Sequence, residues 1–289
     1  MRALAVSGET RVVGIFGHPI AHTRSPAMHN AAFRSLGLPY IYIPLLVHPS
    51  DLGKATQSIR SLNLVGINVT VPHKEGILRY LDGLSTEAKL CGAVNTVINR
   101  QGSLYGENTD CHGFLLSLKE RKLSLQDREV VLIGAGGAAR AVLVALVRAG
   151  SAQITIVNRT QAHAKKLAHT YQSLGQTSIQ TASLDTLGDA ALLKRAVLVV
   201  NSIPLGLHVA TLPALDYGAS PRGCLFYDLV YQPEPTLFLQ RASQARRTTL
   251  DGRRMLLHQG ALAFELWTQQ PAPLRVMSRA LSHALHGSS

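Results

Sequence analysis

The segment Val130-Val131-Leu132-Ile133-Gly134-Ala135-Gly136-Gly137-Ala138-Ala139 constrains this chain more than any other part of it. Four consecutive apolar residues read as a buried strand that runs straight into a glycine turn. An Ala/Val/Leu-rich helix over 138–149 follows and stops at Gly150, and Gln153 to Val157 forms the next strand. Strand, turn, helix and strand within roughly 30 residues make a β-α-β unit, which forces the two strands parallel. The glycines permit a tight turn and close backbone approach, so the helix N-terminus can hold a pyrophosphate. A lone glycine triplet is weak evidence, but in this setting Gly134, Ala135, Gly136, Gly137 and Ala138 point to a bound dinucleotide. Asn158-Arg159-Thr160 closes the second strand without an acid. Asp or Glu there would suit a ribose 2′-hydroxyl, whereas a planar, permanently charged guanidinium suits a 2′-phosphate. The residues therefore favour NADP.

Strand-like runs at Ala196 to Val200 and Cys224 to Leu229 extend a parallel sheet, and two helical segments, Arg253 to about Gln269 and Leu274 to about His286, end the chain. The N-terminal part has its own grammar. Val12 to Phe16 reads as a strand, Ser25-Pro26 as a helix start with Ser25 as N-cap, and Tyr40 to Val47 as a strand interrupted near Pro44, hence near an edge. Ser50 to about Leu62 reads as a helix and Val65 to Val71 as a third strand. Two short helices precede a hairpin, Ala93 to Asn99 and Ser103 to Gly106, turning at Gln101-Gly102.

With 289 residues, 46% apolar and 16% charged, the chain is long enough for two ordinary domains. No run of 18 apolar residues is present, so no membrane span is expected, and Met1 to Arg11 lacks the apolar core of a signal peptide. Cys91, Cys111 and Cys224 are odd in number and far apart, which fits a reducing cytoplasm. The formal net charge is +12, but pairs such as Lys165-Lys166, Arg246-Arg247 and Arg253-Arg254 are dispersed. Such a field favours encounter with small anions and argues against nucleic acid. Twelve histidines form no metal-ligand motif, and His18, His22 and His29 read as polar or packing residues.

Asn68-Val69-Thr70-Val71-Pro72-His73-Lys74 and Glu107-Asn108-Thr109-Asp110 set a lysine and a carboxylate among short hydroxyl and amide side chains. Such residues offer donors and acceptors matched to a small polyhydroxylated molecule. A lysine at the end of an apolar strand is also suited to moving a proton on and off one hydroxyl. Taken alone, Lys74 would read as a solvated helix residue.

Nearly the whole chain resembles the shikimate dehydrogenase family. The resemblance rests on residues 17–26 (Gly17 to Pro26), 68–74, Gly92-Ala93-Val94-Asn95-Thr96, Asn108-Thr109-Asp110, 134–138, Asn158-Arg159-Thr160, Asn201-Ser202, Tyr227 to Tyr231, and Asp251-Gly252 leading to Gln259. It implies an α/β protein of two domains flanking a cleft. A substrate domain, 1–110 completed by C-terminal helices over 250–289, accompanies a Rossmann-type NADP-binding domain over 111–249. The implied reaction is reversible NADP-linked reduction of 3-dehydroshikimate to shikimate. Lys74 and Asp110 fall at the catalytic pair. Thr23, Ser25, Asn68, Thr70, Asn95, Tyr231 and Gln259 fall at substrate contacts, and Leu229 and Gly252 at the nicotinamide end of the cofactor. Two positions depart from the usual pattern. Thr23 replaces a serine and adds a methyl near the substrate carboxylate, which favours shikimate over quinate. His163 replaces a second basic residue for the 2′-phosphate. A dual NAD/NADP shikimate/quinate dehydrogenase and a non-catalytic dinucleotide- or metabolite-binding regulator are the alternatives, and monomer and homodimer both stay open.

Overall fold

A computed structural model describes residues 6–203 and 215–287; Met1 to Ala5, within the segment read above for a targeting signal, lie outside them. In chain order the elements are β1 (Arg11–Gly17), α1 (Ser25–Ser35), β2 (Tyr40–Leu46), α2 (Leu52–Ser61), β3 (Gly66–Val69), α3 (His73–Gly76), β4 (Gly83–Leu84), α4 (Thr86–Cys91), β5 (Thr96–Arg100), β6 (Ser103–Glu107) and α5 (Asp110–Lys119). They continue with β7 (Glu129–Ile133), α6 (Gly137–Arg148), β8 (Gln153–Asn158), α7 (Gln161–Tyr171), β9 (Ser178–Ser183), α8 (Ala190–Leu193), β10 (Ala196–Asn201), β11 (Leu225–Asp228), α9 (Leu237–Gln244), β12 (Thr248–Leu250), α10 (Arg253–Thr268) and α11 (Leu274–His286). Residues cluster into two compact units, Met1–Gly113 with Leu256–Ser289, and Phe114–Met255. No helix among the described residues is long and apolar enough to cross a membrane.

The first unit is built on a mixed six-stranded sheet in the order β2-β1-β3-β5-β6-β4. β1 pairs parallel with β2 and β3, while β3, β5 and β6 pair antiparallel. The hairpin turn holds Gln101 at φ +54° and Gly102 at φ +91°, as a two-residue turn matched to strand twist requires. One apolar cluster joins Phe16, Ile67, Val69 and Val97 to Leu52 and Ile59 of α2. Elsewhere in the unit Phe33 of α1 stacks on Phe264 of α10. A Cβ on Gly66 would strike the Trp267 indole and the Val97 carbonyl, and the indole Nε1 donates to that carbonyl at 3.1 Å. Glycine is needed there because α10 lies against the strand backbone.

Three expectations for this unit need correction. β2 is an edge strand, but Pro44 does not interrupt it: Pro44 keeps register opposite Ile15. Proline lacks only a donor, and an outer edge needs none. β3 ends at Val69 rather than Val71, because Thr70 to Pro72 turn into α3, with His73 N donating to Thr70 O at 2.8 Å. Ser25 is inside α1 and is not its cap. Arg24 occupies the cap position without a side-chain bond, and the Thr23 hydroxyl instead accepts from Ser25 N at 3.3 Å.

The second unit holds a fully parallel sheet in the order β12-β11-β10-β7-β8-β9. Counted from β7, this is the doubly wound order 3-2-1-4-5-6, whose direction reverses between β7 and β10. Buried on both faces, β7, β8, β10 and β11 are the strands that read as apolar runs. The two strands absent from the sequence reading, β9 and β12, are the polar edges of this sheet.

His29 is fully buried in the first unit, stacked on Tyr42 with ring centroids 4.4 Å apart, and neither ring nitrogen has a partner. Burial pulls its pKa down to about 3. The folded protein thus keeps the ring neutral where an unfolded chain, with an imidazole pKa of about 6.5, takes up a proton. Stability should fall as pH drops from about 6.5 towards 3, by up to about 1.4 kcal/mol per pH unit. Urea denaturation across this range should show that slope in the parent and a flatter one in His29→Phe. Parallel curves would remove His29 as its origin.

Candidate functional site

Within the first unit, four of the residues expected at the site converge. Lys74 follows the turn after β3, and its Nζ lies 2.6 Å from Asp110 Oδ2 at the start of α5. The two side chains are only 16% and 8% exposed, so the pair is largely withdrawn from water. A buried ion pair is tolerable only when its remaining valences are met. Here Asn95 Nδ2 lies 2.9 Å from Asp110 Oδ1, 2.9 Å from Thr109 Oγ1 and 3.2 Å from Gln259 Oε1. Asn95 Oδ1 accepts from Thr109 N at 2.8 Å, and the Thr109 hydroxyl donates to the Gln259 carbonyl at 3.0 Å.

Asn68 joins this group from β3. Its Nδ2 reaches the Asn95 carbonyl at 3.1 Å and Thr96 Oγ1 at 2.9 Å. Thr70 N donates to Phe16 O at 2.9 Å, which ties the turn before Lys74 to the end of β1. The loop leaving that end carries Thr23 and leads to the buried Ser25. Because the Thr23 hydroxyl accepts from Ser25 N, its proton is left to donate elsewhere. Four further residues belong to the polar network: Tyr42, Thr96, Asn108 and Thr109. Asn108 Oδ1 accepts from Asp110 N at 3.1 Å while its Nδ2 donates to Ala93 O at 2.9 Å, so it sets the backbone that presents the carboxylate. Asn108 and Thr109 were visible as neighbours of Asp110; Tyr42 had no sequence signal beyond an aromatic in a strand.

In the second unit, Gly134 follows β7 at φ +113°, with its N–H donating to Val157 O at 2.8 Å. A Cβ there would collide with Ser202 Oγ, which itself donates to Ile133 O at 2.7 Å. Gly136 is the N-cap of α6; it carries no side chain to cap the first turn, and a Cβ on it would meet nothing within 4 Å. No acid occupies that first turn. Unfilled space before uncapped helix N–H groups is the arrangement a pyrophosphate needs. Asn158 Nδ2 holds Thr160 O at 2.9 Å, shaping the turn that leaves Arg159 exposed. His163, Lys165 and Lys166 are exposed on α7 just beyond. These residues fit a phosphorylated dinucleotide.

Leu229 and Gly252 also meet in this unit. A Cβ on Gly252 would strike the Leu229 carbonyl, and Gly252 N donates to Val230 O at 3.1 Å. Asp228 organises this exit from β11: its carboxylate accepts from Asn201 Nδ2 at 2.9 Å, Val230 N at 3.1 Å and the Thr236 hydroxyl at 2.6 Å. Burial pushes its pKa up to about 6. Tyr231, half-buried, follows three residues later.

Three regions of the chain match models of known families: the shikimate dehydrogenase substrate-binding domain over residues 15–97, shikimate/quinate 5-dehydrogenase over 117–209, and the shikimate 5′-dehydrogenase C-terminal domain over 252–281. The NADP(+) shikimate dehydrogenase of Carboxydothermus hydrogenoformans is 44% identical over 281 residues, covering 96% of this chain and 99% of that protein. A shikimate dehydrogenase crystallised with NADP+ superposes with a TM-score of 0.90 at 34% identity, covering 97% of this chain and 98% of that one. The shikimate 5-dehydrogenase of Thermus thermophilus, crystallised with NADP(H) and shikimate, gives a TM-score of 0.83 at 37% identity, covering 96% of this chain and 100% of that one.

The two glycines at the turn make different demands. Gly134→Ala should cost about 1–3 kcal/mol of stability, from a strained backbone and displacement of Ser202. Gly136→Ala should leave the melting temperature near that of the parent yet weaken dinucleotide binding, since the methyl enters the space a pyrophosphate would fill. Thermal melting and titration with NADP separate the two. Equal melting losses would contradict this division of roles.

Proposed function

Because the chain belongs to the shikimate dehydrogenase family, we propose that it is an NADP-dependent shikimate dehydrogenase that reversibly reduces 3-dehydroshikimate to shikimate. The observation that carries the reading to particular residues is the Lys74–Asp110 pair, held at 2.6 Å and braced by Asn95. The unit containing that pair is the substrate domain, and Phe114–Met255 is the NADP domain.

NADPH bound there would supply the hydride for the substrate carbonyl carbon. Lys74 moves the accompanying proton. One of its three N–H groups is engaged by Asp110, which leaves the others to hydrogen-bond the carbonyl oxygen and protonate it as the hydroxyl forms. Asp110 fixes the ammonium in place and accepts from a neighbouring substrate hydroxyl. In shikimate oxidation the same groups run in reverse. Asn68, Thr70, Asn95 and Gln259 supply uncharged partners for the ring hydroxyls, while Thr23 and Ser25 donate to the carboxylate and Tyr231 adds a phenolic donor. Gly134 to Ala138 would hold the pyrophosphate, Asn158, Arg159 and Thr160 the adenosine 2′-phosphate, and Leu229 and Gly252 the nicotinamide end. The exposed guanidinium of Arg159 and the absence of acid at 158–160 support NADP over NAD. A regulator that only binds metabolites would have no use for a desolvated lysine–carboxylate pair. The cytoplasm is the compartment of this reading.

Lys74→Ala should lower kcat by about 10²–10⁴-fold, the usual worth of a positioned proton-transfer group. KM for shikimate should change less, because the amide and hydroxyl partners remain. Near-parental turnover would remove Lys74 from the chemistry.

Initial rates with shikimate and quinate, each against NADP and NAD, test the assignment as a whole. Shikimate with NADP should be clearly preferred; equal efficiency with quinate would overturn it. In the same assay Arg159→Ala should shift discrimination between the cofactors by about 10–150-fold, the equivalent of one charge-assisted contact of about 1.5–3 kcal/mol. Matching losses with NADP and NAD would show that Arg159 does not read the phosphate.

A further inference from the structure

Tyr42 lies on the edge strand β2 yet is 1% exposed, and it is pinned from every side. Its backbone is clamped by Asn30 of α1, whose Nδ2 donates to Tyr42 O at 2.9 Å and whose Oδ1 accepts from Tyr42 N at 2.8 Å. Its ring is stacked face to face on His29, with 7° between the planes, and tilted against Trp267 with centroids 6.1 Å apart. A ring held this way has one place to put its hydroxyl. The phenol donates to Asn68 Oδ1 at 2.8 Å.

That contact completes the fixation of Asn68. With its Nδ2 already engaged by the Asn95 carbonyl and Thr96 Oγ1, the amide is tied at both ends. The polarity is set as well, since turning the amide over would press Oδ1 against the Asn95 carbonyl oxygen. We propose that Tyr42 is a positioning residue for catalysis, fixing Asn68 so that it braces Asn95, and through Asn95 the carboxylate of Asp110, while presenting the second lone pair of Oδ1 as an acceptor for a substrate hydroxyl. Every link is a hydrogen bond within the first unit: Tyr42 to Asn68, Asn68 to Asn95, Asn95 to Asp110, and Asp110 to Lys74. Without the phenol, Oδ1 becomes a buried acceptor short of a donor, and the amide gains rotational freedom next to the reacting groups. The proposal rests on the reading of Asn68 as part of the substrate site.

The test is shikimate oxidation at saturating NADP by the parent, Tyr42→Phe, Asn68→Ala and the double variant, with thermal melting in parallel. Phenylalanine keeps the ring and its stack on His29. Tyr42→Phe should reduce kcat by about 5–30-fold, as expected for a buried hydrogen bond of about 1–2 kcal/mol. It should also displace the pH profile of kcat. The double variant should be no slower than Asn68→Ala, because the phenol then has nothing to position. Tyr42 acting only as packing would instead lower the melting temperature and leave kcat and its pH profile at parental values, and that result overturns the proposal. So does a double variant whose losses multiply. If Asn68→Ala itself retains parental kcat and KM, the site reading of Asn68 fails and the proposal with it. A crippled Asn68→Ala beside an unaffected Tyr42→Phe sinks the Tyr42 assignment alone.

Discussion

The carboxamide of Asn95 is the contact on which the polar cluster of the first unit depends. It lies within hydrogen-bond reach of Asp110, Thr109 and Gln259, which come from two distant stretches of chain. A lysine–carboxylate pair drawn out of water loses hydration that their mutual attraction repays only when every other valence is satisfied. Asn95 and its neighbours provide that satisfaction for the carboxylate with neutral groups, and the remaining N–H groups of Lys74 are left for the proposed substrate. The same neutrality suits a ligand made of hydroxyls, since donors and acceptors are available in equal measure.

In the proposed function the second unit solves a different problem, how to bring backbone close to a highly charged ligand. Its sheet reverses winding direction between β7 and β10, and the glycine turn opens at the carboxyl end of β7. Ser202, at the carboxyl end of β10, packs where a side chain on Gly134 would otherwise stand. The turn is therefore tight because of its neighbour strand as much as its own sequence. Asp228 performs the corresponding service at the end of β11, gathering Asn201, Val230 and Thr236 around one buried carboxylate.

Much of this was legible in the residues, for reasons that differ by region. β7, β8, β10 and β11 are apolar because both their faces are covered, and their pattern survives without context. β9 and β12 are polar edges, Ser178–Ser183 and Thr248–Leu250, and nothing local distinguishes them from loop. The Lys74, Asp110, Asn95 and Gln259 cluster was accessible because the resemblance joined motifs that the chain itself keeps apart. Ser25 misled because serine before proline is a strong cap signal, whereas the hydroxyl of Thr23 two residues earlier does the bonding. Tyr42 was invisible for a further reason. Its importance comes from parallel pairing of β2 with β1 and of β1 with β3, which bring strand positions 42 and 68 to one face, and register of that kind is a product of the whole sheet.

The hydrogen bond between Asn95 and Gln259 spans 164 residues, and the indole of Trp267 reaches Val97 across 170. Between those partners the chain completes an entire parallel sheet. During synthesis from the N-terminus, then, the residues of Phe114–Met255 emerge before Gln259, Trp267 and the whole of α11. The polar cluster around Asp110 is incomplete without α10, which supplies Gln259 at 3.2 Å from Asn95 Nδ2. A chain ending before α10 would hold every strand of the parallel sheet but neither Gln259 nor Trp267.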